Sequence, residues 1–255
     1  IKKWIQKYKI NGIISDNRLG VFSNKIPSVF ITHQLNVMTG NTTWITSKLH
    51  QHIIKKYNAC WIPDVNAQLN LTGKLGHLDN NSLNLRYLGP LSRMHKMALP
   101  IQYDLMIILS GPEPQRGLLE AHLTEEVKRF NGKVVFVKGI IEAEQKKEQI
   151  GNVTYYNFMK TRQLEHTFNE SKKILCRSGY TTIMDLVKLH KKAFFIPTPG
   201  QYEQIYLAEK LQNEGLVPYA TQDRFRIENL SQIEKFKGLP EIDTAVNWEE
   251  LFKIF

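Results

Sequence analysis

Cysteine is nearly absent: there are two in 255 residues, Cys60 and Cys176, far apart and in no metal-ligand spacing. That excludes a disulfide-stapled scaffold and points to a reducing compartment. Long apolar runs are missing too, and none approaches the ~20 residues needed to cross a bilayer. The opening stretch IKKWIQKYKI has neither an apolar h-region nor a small-residue cleavage site, so it does not read as a secretory signal. Glycine (15) and proline (10) are too sparse for a low-complexity chain, and 42% hydrophobic with 23% charged residues describes one or two folded domains.

The most informative scarcity is of acidic residues at one end. Residues 1–100 hold 13 Lys/Arg and 3 Asp/Glu, while the rest of the chain holds 21 of each, from totals of 34 and 24. The whole net charge of +10 therefore lies in the first two-fifths of the sequence. Such asymmetry predicts two units, the first facing an anionic partner. An anionic membrane surface or a polyanionic substrate fits. No helix-turn-helix, zinc finger or RNP motif is present, so nucleic acid is not an expected partner.

The second half alternates short apolar runs with amphipathic stretches. Strands are expected at 103–109, 134–137, 153–156, 174–176, 193–196 and 216–219, with helices near 117–130, 161–170, 181–190 and 201–213. Strands alternating with 10–15-residue helices imply a parallel, doubly wound sheet. The first half repeats the theme, with strands at 13–15, 28–32, 59–63 and 86–88 and a helix at 44–57. Ile1, Trp4, Ile5 and Tyr8 share one helical face, which either packs on the sheet or lies in an interface among its lysines. A doubly wound domain rarely starts with a helix, so a native beginning is expected to be missing. The segment 91–100 reads as the linker.

In open α/β sheets ligands bind outside the carboxyl ends of strands, where loops lead into helix N-termini. Three junctions stand out. Ser110-Gly111 follows the 103–109 strand, but Pro112 and Pro114 each remove a donor, and a plain turn explains the segment as well. Arg177-Ser178-Gly179-Tyr180-Thr181-Thr182 enters a helix whose free N–H groups and dipole suit phosphate. Asp185, one turn further, could accept hydrogen bonds from ribose hydroxyls or merely complement the dipole. After Ile196-Pro197-Thr198-Pro199-Gly200, Glu203 and Gln204 offer a carboxylate and an amide to a polyhydroxylated ligand, or a solvated helix start.

The run R-S-G-Y-T-T-I-M-D followed by F-F-I-P-T-P-G-Q-Y-E-Q resembles the donor half of family 28 glycosyltransferases of the GT-B fold, whose nearest well-known members add N-acetylglucosamine to make lipid II. The resemblance implies two Rossmann-like α/β domains, an acceptor-side one over residues 1–95 and a nucleotide-sugar donor domain over 96–255. It places Arg177, Ser178, Gly179 and Thr182 at the diphosphate turn with Thr181, Asp185 at the ribose, and Glu203 and Gln204 at the sugar. Ser110 and Gly111 match the loop after the first strand, and Phe158 and Met159 the segment whose backbone reads the base. Thr32-His33-Gln34-Leu35-Asn36-Val37-Met38-Thr39-Gly40 is similar to the stretch facing the acceptor, and Leu88-Gly89-Pro90-Leu91-Ser92-Arg93 to the close of that domain. The family's usual base loop is absent, which leaves His33 as the stand-in or as a structural histidine.

The implied reaction moves a hexose, N-acetylglucosamine foremost, from a UDP-sugar to an acceptor hydroxyl with inversion. No Asp-x-Asp motif is present, which agrees with a reaction needing no metal or other cofactor. The basic half suits a lipid-linked acceptor and a peripheral place at the cytoplasmic face of the inner membrane. A nucleotide-sugar hydrolase or epimerase, or a non-catalytic nucleotide-sugar-binding module, could use the same donor half.

Overall fold

In the computed structural model, residues 1–38, 40, 43–79, 82–242 and 246–255 are described. They form two compact units, Ile1–Leu91 with Ile242–Phe255, and Ser92–Glu241. This division differs from the one expected, in which 96–255 is a single continuous domain. The chain returns to the first unit because Val246, Leu251 and Ile254 pack on the apolar cluster of Val29, Ala59, Trp61 and Leu88. Phe252 and Phe255 meet the Trp61 ring edge-on, with centroids 5.4 and 6.2 Å away.

The first unit runs α1 (Lys2–Tyr8), β1 (Ile13–Asp16), β2 (Ser28–Ile31), α2 (Thr43–Ile54), β3 (Ala59–Ile62) and β4 (Leu85–Tyr87). Its four strands are parallel and ordered β1-β2-β3-β4, so the sheet winds in one direction only. Every residue of β3 is buried, as expected of a strand covered on both faces. The apolar stripe of α1 does not pack on this sheet: the helix buries none of its residues, and Trp4 is 66% exposed.

The second unit holds β5 (Tyr103–Ile108), α3 (Gln115–Glu126), β6 (Val134–Val137), β7 (Lys147–Ile150), β8 (Val153–Tyr156), α4 (Thr161–Asn169), β9 (Ser171–Cys176), α5 (Tyr180–Leu189), β10 (Lys192–Phe195) and α6 (Tyr202–Asn213). Its sheet order is β10-β9-β5-β6-β8-β7. The order of winding reverses between the parallel strands β5 and β9, which makes their carboxyl ends the topological switch point of a doubly wound sheet. Leu105 and Ile107 of β5 pack with Leu119 and Leu123 of α3, Phe136 and Phe194 in the core beneath that crevice.

One expected strand is corrected. Residues 216–219 contribute a single bridge, Tyr219 to Phe195, because Pro218 has no N–H to give a ladder. The sixth strand is β7, fully exposed and antiparallel to β8. A short helix, α7 (Trp248–Phe252), ends the chain's ordered elements.

Candidate functional site

Three loops meet the crevice of the second unit, and their helices start differently. At α3, Pro114 is the N-cap, and the Glu113 carboxylate accepts the Gly117 N–H at 3.0 Å. Arg116 bonds Glu113 and Glu120 at 2.6 Å each, and holds the Glu113 carboxyl below the usual range. A carboxylate therefore already occupies the positive end of this helix, which leaves Ser110 and Gly111 a weaker anion turn than the motif implied. At α5 no side chain caps the first turn, and a Cβ on Gly179 would meet nothing within 4 Å. Thr181 is exposed and Thr182 half-buried there. Of the two helix starts, this one has donors open to an anion.

Arg177 is the unexpected residue. Its side chain is 1% exposed, and the guanidinium donates to the carbonyls of Ile196 (3.1 Å), Pro197 (3.0 Å) and Gln115 (3.0 Å) and to Gln222 Oε1 (2.8 Å). It thus pins the β9, β10 and α3 loops together from below rather than reaching into the crevice. Burial alone pushes its pKa down to about 10, since no carboxylate among the described residues balances it. Ser178 is buried as well, and its hydroxyl donates to the Gln204 carbonyl at 2.7 Å, tying the β9 loop to α6.

The sugar-side and ribose-side groups have internal partners. Gln204 accepts the Thr198 N–H at 2.9 Å and donates to Gln201 Oε1, so its amide closes the loop before α6. Glu203 is half-buried beside it. Asp185 accepts the Ser92 hydroxyl at 2.6 Å; burial raises its pKa, opposed by that bond and by Arg93. Phe158 engages both backbone groups internally, its N–H with Asn157 Oδ1 (2.9 Å) and its carbonyl with Gln145 (2.7 Å), so Met159 has the freer backbone. Asn157 was not singled out in the sequence. Buried, it also bonds the Lys146 N–H, Glu142 and the Glu144 carbonyl, and so shapes the 139–146 loop. Gln115, Thr198 and Gln222 complete the residues that no motif marked.

In the first unit, His33 follows β2 in a half-buried loop, and Thr39 of the expected acceptor stretch lies outside the described residues. The loop is held by Thr32, whose hydroxyl accepts the Gln34 N–H at 3.0 Å, and by Gln51 of α2, which donates to the Leu35 carbonyl at 3.2 Å. His50 of α2 is buried edge-on to Phe30 and bonds the Gln34 backbone; burial lowers its pKa. A cavity of about 650 Å³ beside β4, lined by Trp61, Arg86 and Glu250, contains none of the expected site residues. Among the described residues no group of three His, Cys, Asp or Glu is arranged to hold a metal ion, and no helix is long and apolar enough to cross a membrane.

Comparison with known proteins gives a consistent result. The chain is 24% identical over 210 residues to the UDP-N-acetylglucosamine--N-acetylmuramyl-(pentapeptide) pyrophosphoryl-undecaprenol N-acetylglucosamine transferase of Haemophilus ducreyi, matching 80% of this chain and 56% of that one. It therefore spans little more than half the length of that relative. Among solved structures it is similar to MurG of Acinetobacter baumannii (TM-score 0.54, 14% identity, 91% of this chain and 67% of that one). It is also similar to the glycosyltransferase SnogD of Streptomyces nogalater (TM-score 0.61, 12% identity, 93% and 66%). These likenesses establish the GT-B fold. The glycosyltransferase family 28 C-terminal domain matches residues 107–236, which include the switch-point crevice and its three loops, and the chain belongs to that family.

Proposed function

We propose that the second unit binds a UDP-sugar, UDP-N-acetylglucosamine foremost, and that the protein transfers the sugar to an acceptor hydroxyl with inversion and without a metal. The observation that carries this reading is the uncapped start of α5, beside a buried cation that no carboxylate among the described residues balances, at the switch point of the sheet. In such a displacement the acceptor oxygen attacks the anomeric carbon while the diphosphate departs. The departing charge needs fixed donors, which the first turn of α5 supplies in a preorganised form. The acceptor's proton needs a base, for which His33 is the group proposed. The free oxygen of Asp185 is assigned to the ribose, and Glu203 and Gln204 to the sugar.

UDP or a UDP-sugar is expected to stabilise the protein by ~2.7 kcal/mol at a hundredfold excess over its dissociation constant, read as a rise in melting temperature. If millimolar nucleoside diphosphates and nucleotide sugars all leave the melting temperature unchanged, the donor reading is lost. Gln204→Ala is expected to weaken a UDP-sugar by about 2- to 13-fold, the worth of one neutral hydrogen bond, while sparing UDP. Equal weakening of both would assign Gln204 only to the loop it closes.

The acceptor is proposed to be lipid-linked, as the name of the Haemophilus ducreyi relative states for that enzyme, with the first unit meeting an anionic membrane surface at its cytoplasmic side. Support comes from α2, whose Trp44, Ile45 and Leu49 are each more than 60% exposed, with Lys48 Nζ 4.1 Å from the Trp44 ring centroid. Exposed apolar side chains beside a lysine suit an anionic leaflet, each nearby cation contributing ~1 kcal/mol. The protein is expected to sediment with anionic but not neutral vesicles, and to be released by moderate salt. Reversal of Lys48, Lys55 and Lys56 to Glu should abolish sedimentation and leave UDP binding intact. Equal sedimentation with neutral vesicles would remove the charge-based reading.

A further inference from the structure

The loop after β10 carries a side chain that neither motif nor family match singled out. Thr198 is 2% exposed, and its hydroxyl has no hydrogen-bond partner among the described residues. Its backbone is fixed on both sides: its N–H goes to Gln204 Oε1 and its carbonyl accepts the Gln201 N–H at 3.1 Å. The hydroxyl alone is unused. It faces the turn after β5, where Gly111 adopts φ +103° and a Cβ would lie 3.8 Å from Thr198 Oγ1. That conformation excludes most side chains, so no side chain at position 111 stands between the turn and the hydroxyl.

A second unused donor belongs to the same cluster. The guanidinium of Arg177 grips the carbonyls of Ile196 and Pro197, immediately before Thr198, and its Nε–H has no partner among the described residues. Burying an unpaired hydroxyl is destabilising, and valine would fill the same volume without that penalty. Two unpaired donors beside an uncompensated buried cation call for a ligand that only accepts hydrogen bonds and carries negative charge. A phosphate oxygen meets both conditions, whereas a sugar hydroxyl would leave the charge unbalanced.

We infer that Thr198 is a binding residue for the nucleoside diphosphate, donating its hydroxyl to the β-phosphate. This rests on the donor-site reading above. The β-phosphate is chosen because it adjoins the sugar, and Thr198 lies in the loop that leads into Glu203 and Gln204 at the start of α6. The α-phosphate falls to the first turn of α5.

Calorimetric titration of the full chain with UDP, UMP and uridine tests the assignment. Thr198→Val is expected to weaken UDP on the order of 10- to 100-fold, the range for a hydrogen bond to a charged group, with UMP and uridine unchanged. Thr198→Ser should restore UDP binding, and the ligand-free Val variant should melt no lower than the parent. Should the Val variant fail to fold, Thr198→Ala carries the same expectation for the three ligands. UDP affinity unaffected by the loss of the hydroxyl overturns the inference alone. Equal losses for UDP, UMP and uridine overturn it too, by making Thr198 a structural residue. Absence of UDP binding in the parent chain overturns the donor reading, and this inference with it.

Discussion

Arg177→Met is expected to destabilise the unit Ser92–Glu241 by roughly 3–5 kcal/mol, lowering its melting temperature by about 6–20 °C. Methionine follows the same buried path but leaves the Ile196 and Pro197 carbonyls and the Gln222 amide oxygen without this donor, while the Gln115 carbonyl keeps its bond within α3. Each orphaned buried acceptor costs ~1–3 kcal/mol. The loss is partly offset because a desolvated cation is removed, a relief of several kcal/mol where no anion balances it. Arg177→Lys should lie between parent and Met, since one ammonium cannot span acceptors on three loops. Differential scanning calorimetry of the three proteins checks the order. A Met variant as stable as the parent would mean that burying the charge outweighs its four bonds. The proposed ligand adds a second readout: a diphosphate balancing this cation should raise the melting temperature of the parent more than that of the Met variant.

The parallel sheet of the second unit is legible in the sequence where short apolar runs are bounded by turn residues. Val134–Val137 follows Asn131-Gly132 and Val153–Tyr156 follows Gly151-Asn152, and both strands begin and end where those boundaries predict. β7 is illegible because Lys-Glu-Gln-Ile has neither alternation nor an apolar core; it is an edge held only by pairing with β8. The packing of the last residues on the first unit is equally hidden, since no local pattern says which of two sheets a terminal helix will cover.

The site divides in the same way. Strand-to-helix junctions with small residues mark the loops, so the neighbourhood of Ser110, Arg177 and Gln204 is readable. Which side chains point into the crevice is not, because that depends on bonds between loops distant in sequence. Arg177 is the clearest case. A motif places a cation near phosphate, yet acceptors from residues 115, 196, 197 and 222 turn it inward. Thr198 left one faint signal, a hydroxyl between two prolines in a loop that ends at a helix start.

Asp64 should show an equally large effect in the first unit, and no motif pointed to it. It follows β3, is fully buried, and its carboxylate accepts four hydrogen bonds: the N–H groups of Val65 (2.8 Å), Leu71 (3.0 Å) and Thr72 (2.8 Å), and the Thr72 hydroxyl. Its own carbonyl accepts the Gly89 N–H at 2.9 Å, joining the ends of β3 and β4. The ordering extends outward, because Thr72 Oγ1 meets His77 Nδ1 at 3.2 Å and the His77 ring stacks on Tyr87 with centroids 5.0 Å apart. Asp64→Ala removes the acceptor for three N–H groups at once, those of Leu71 and Thr72 buried and that of Val65 partly so, and is expected to cost about 3–5 kcal/mol. Asp64→Asn keeps one oxygen but turns an NH2 group toward the Thr72 donors, so about half that loss is expected. Amide exchange offers the sharper test: protection at Leu71 and Thr72 should fall in both variants, while UDP binding by the other unit persists. If the Ala variant keeps the parent's protection at those two amides, water has replaced the carboxylate, and the loop after β3 is held by its apolar residues Leu71 and Leu75 instead.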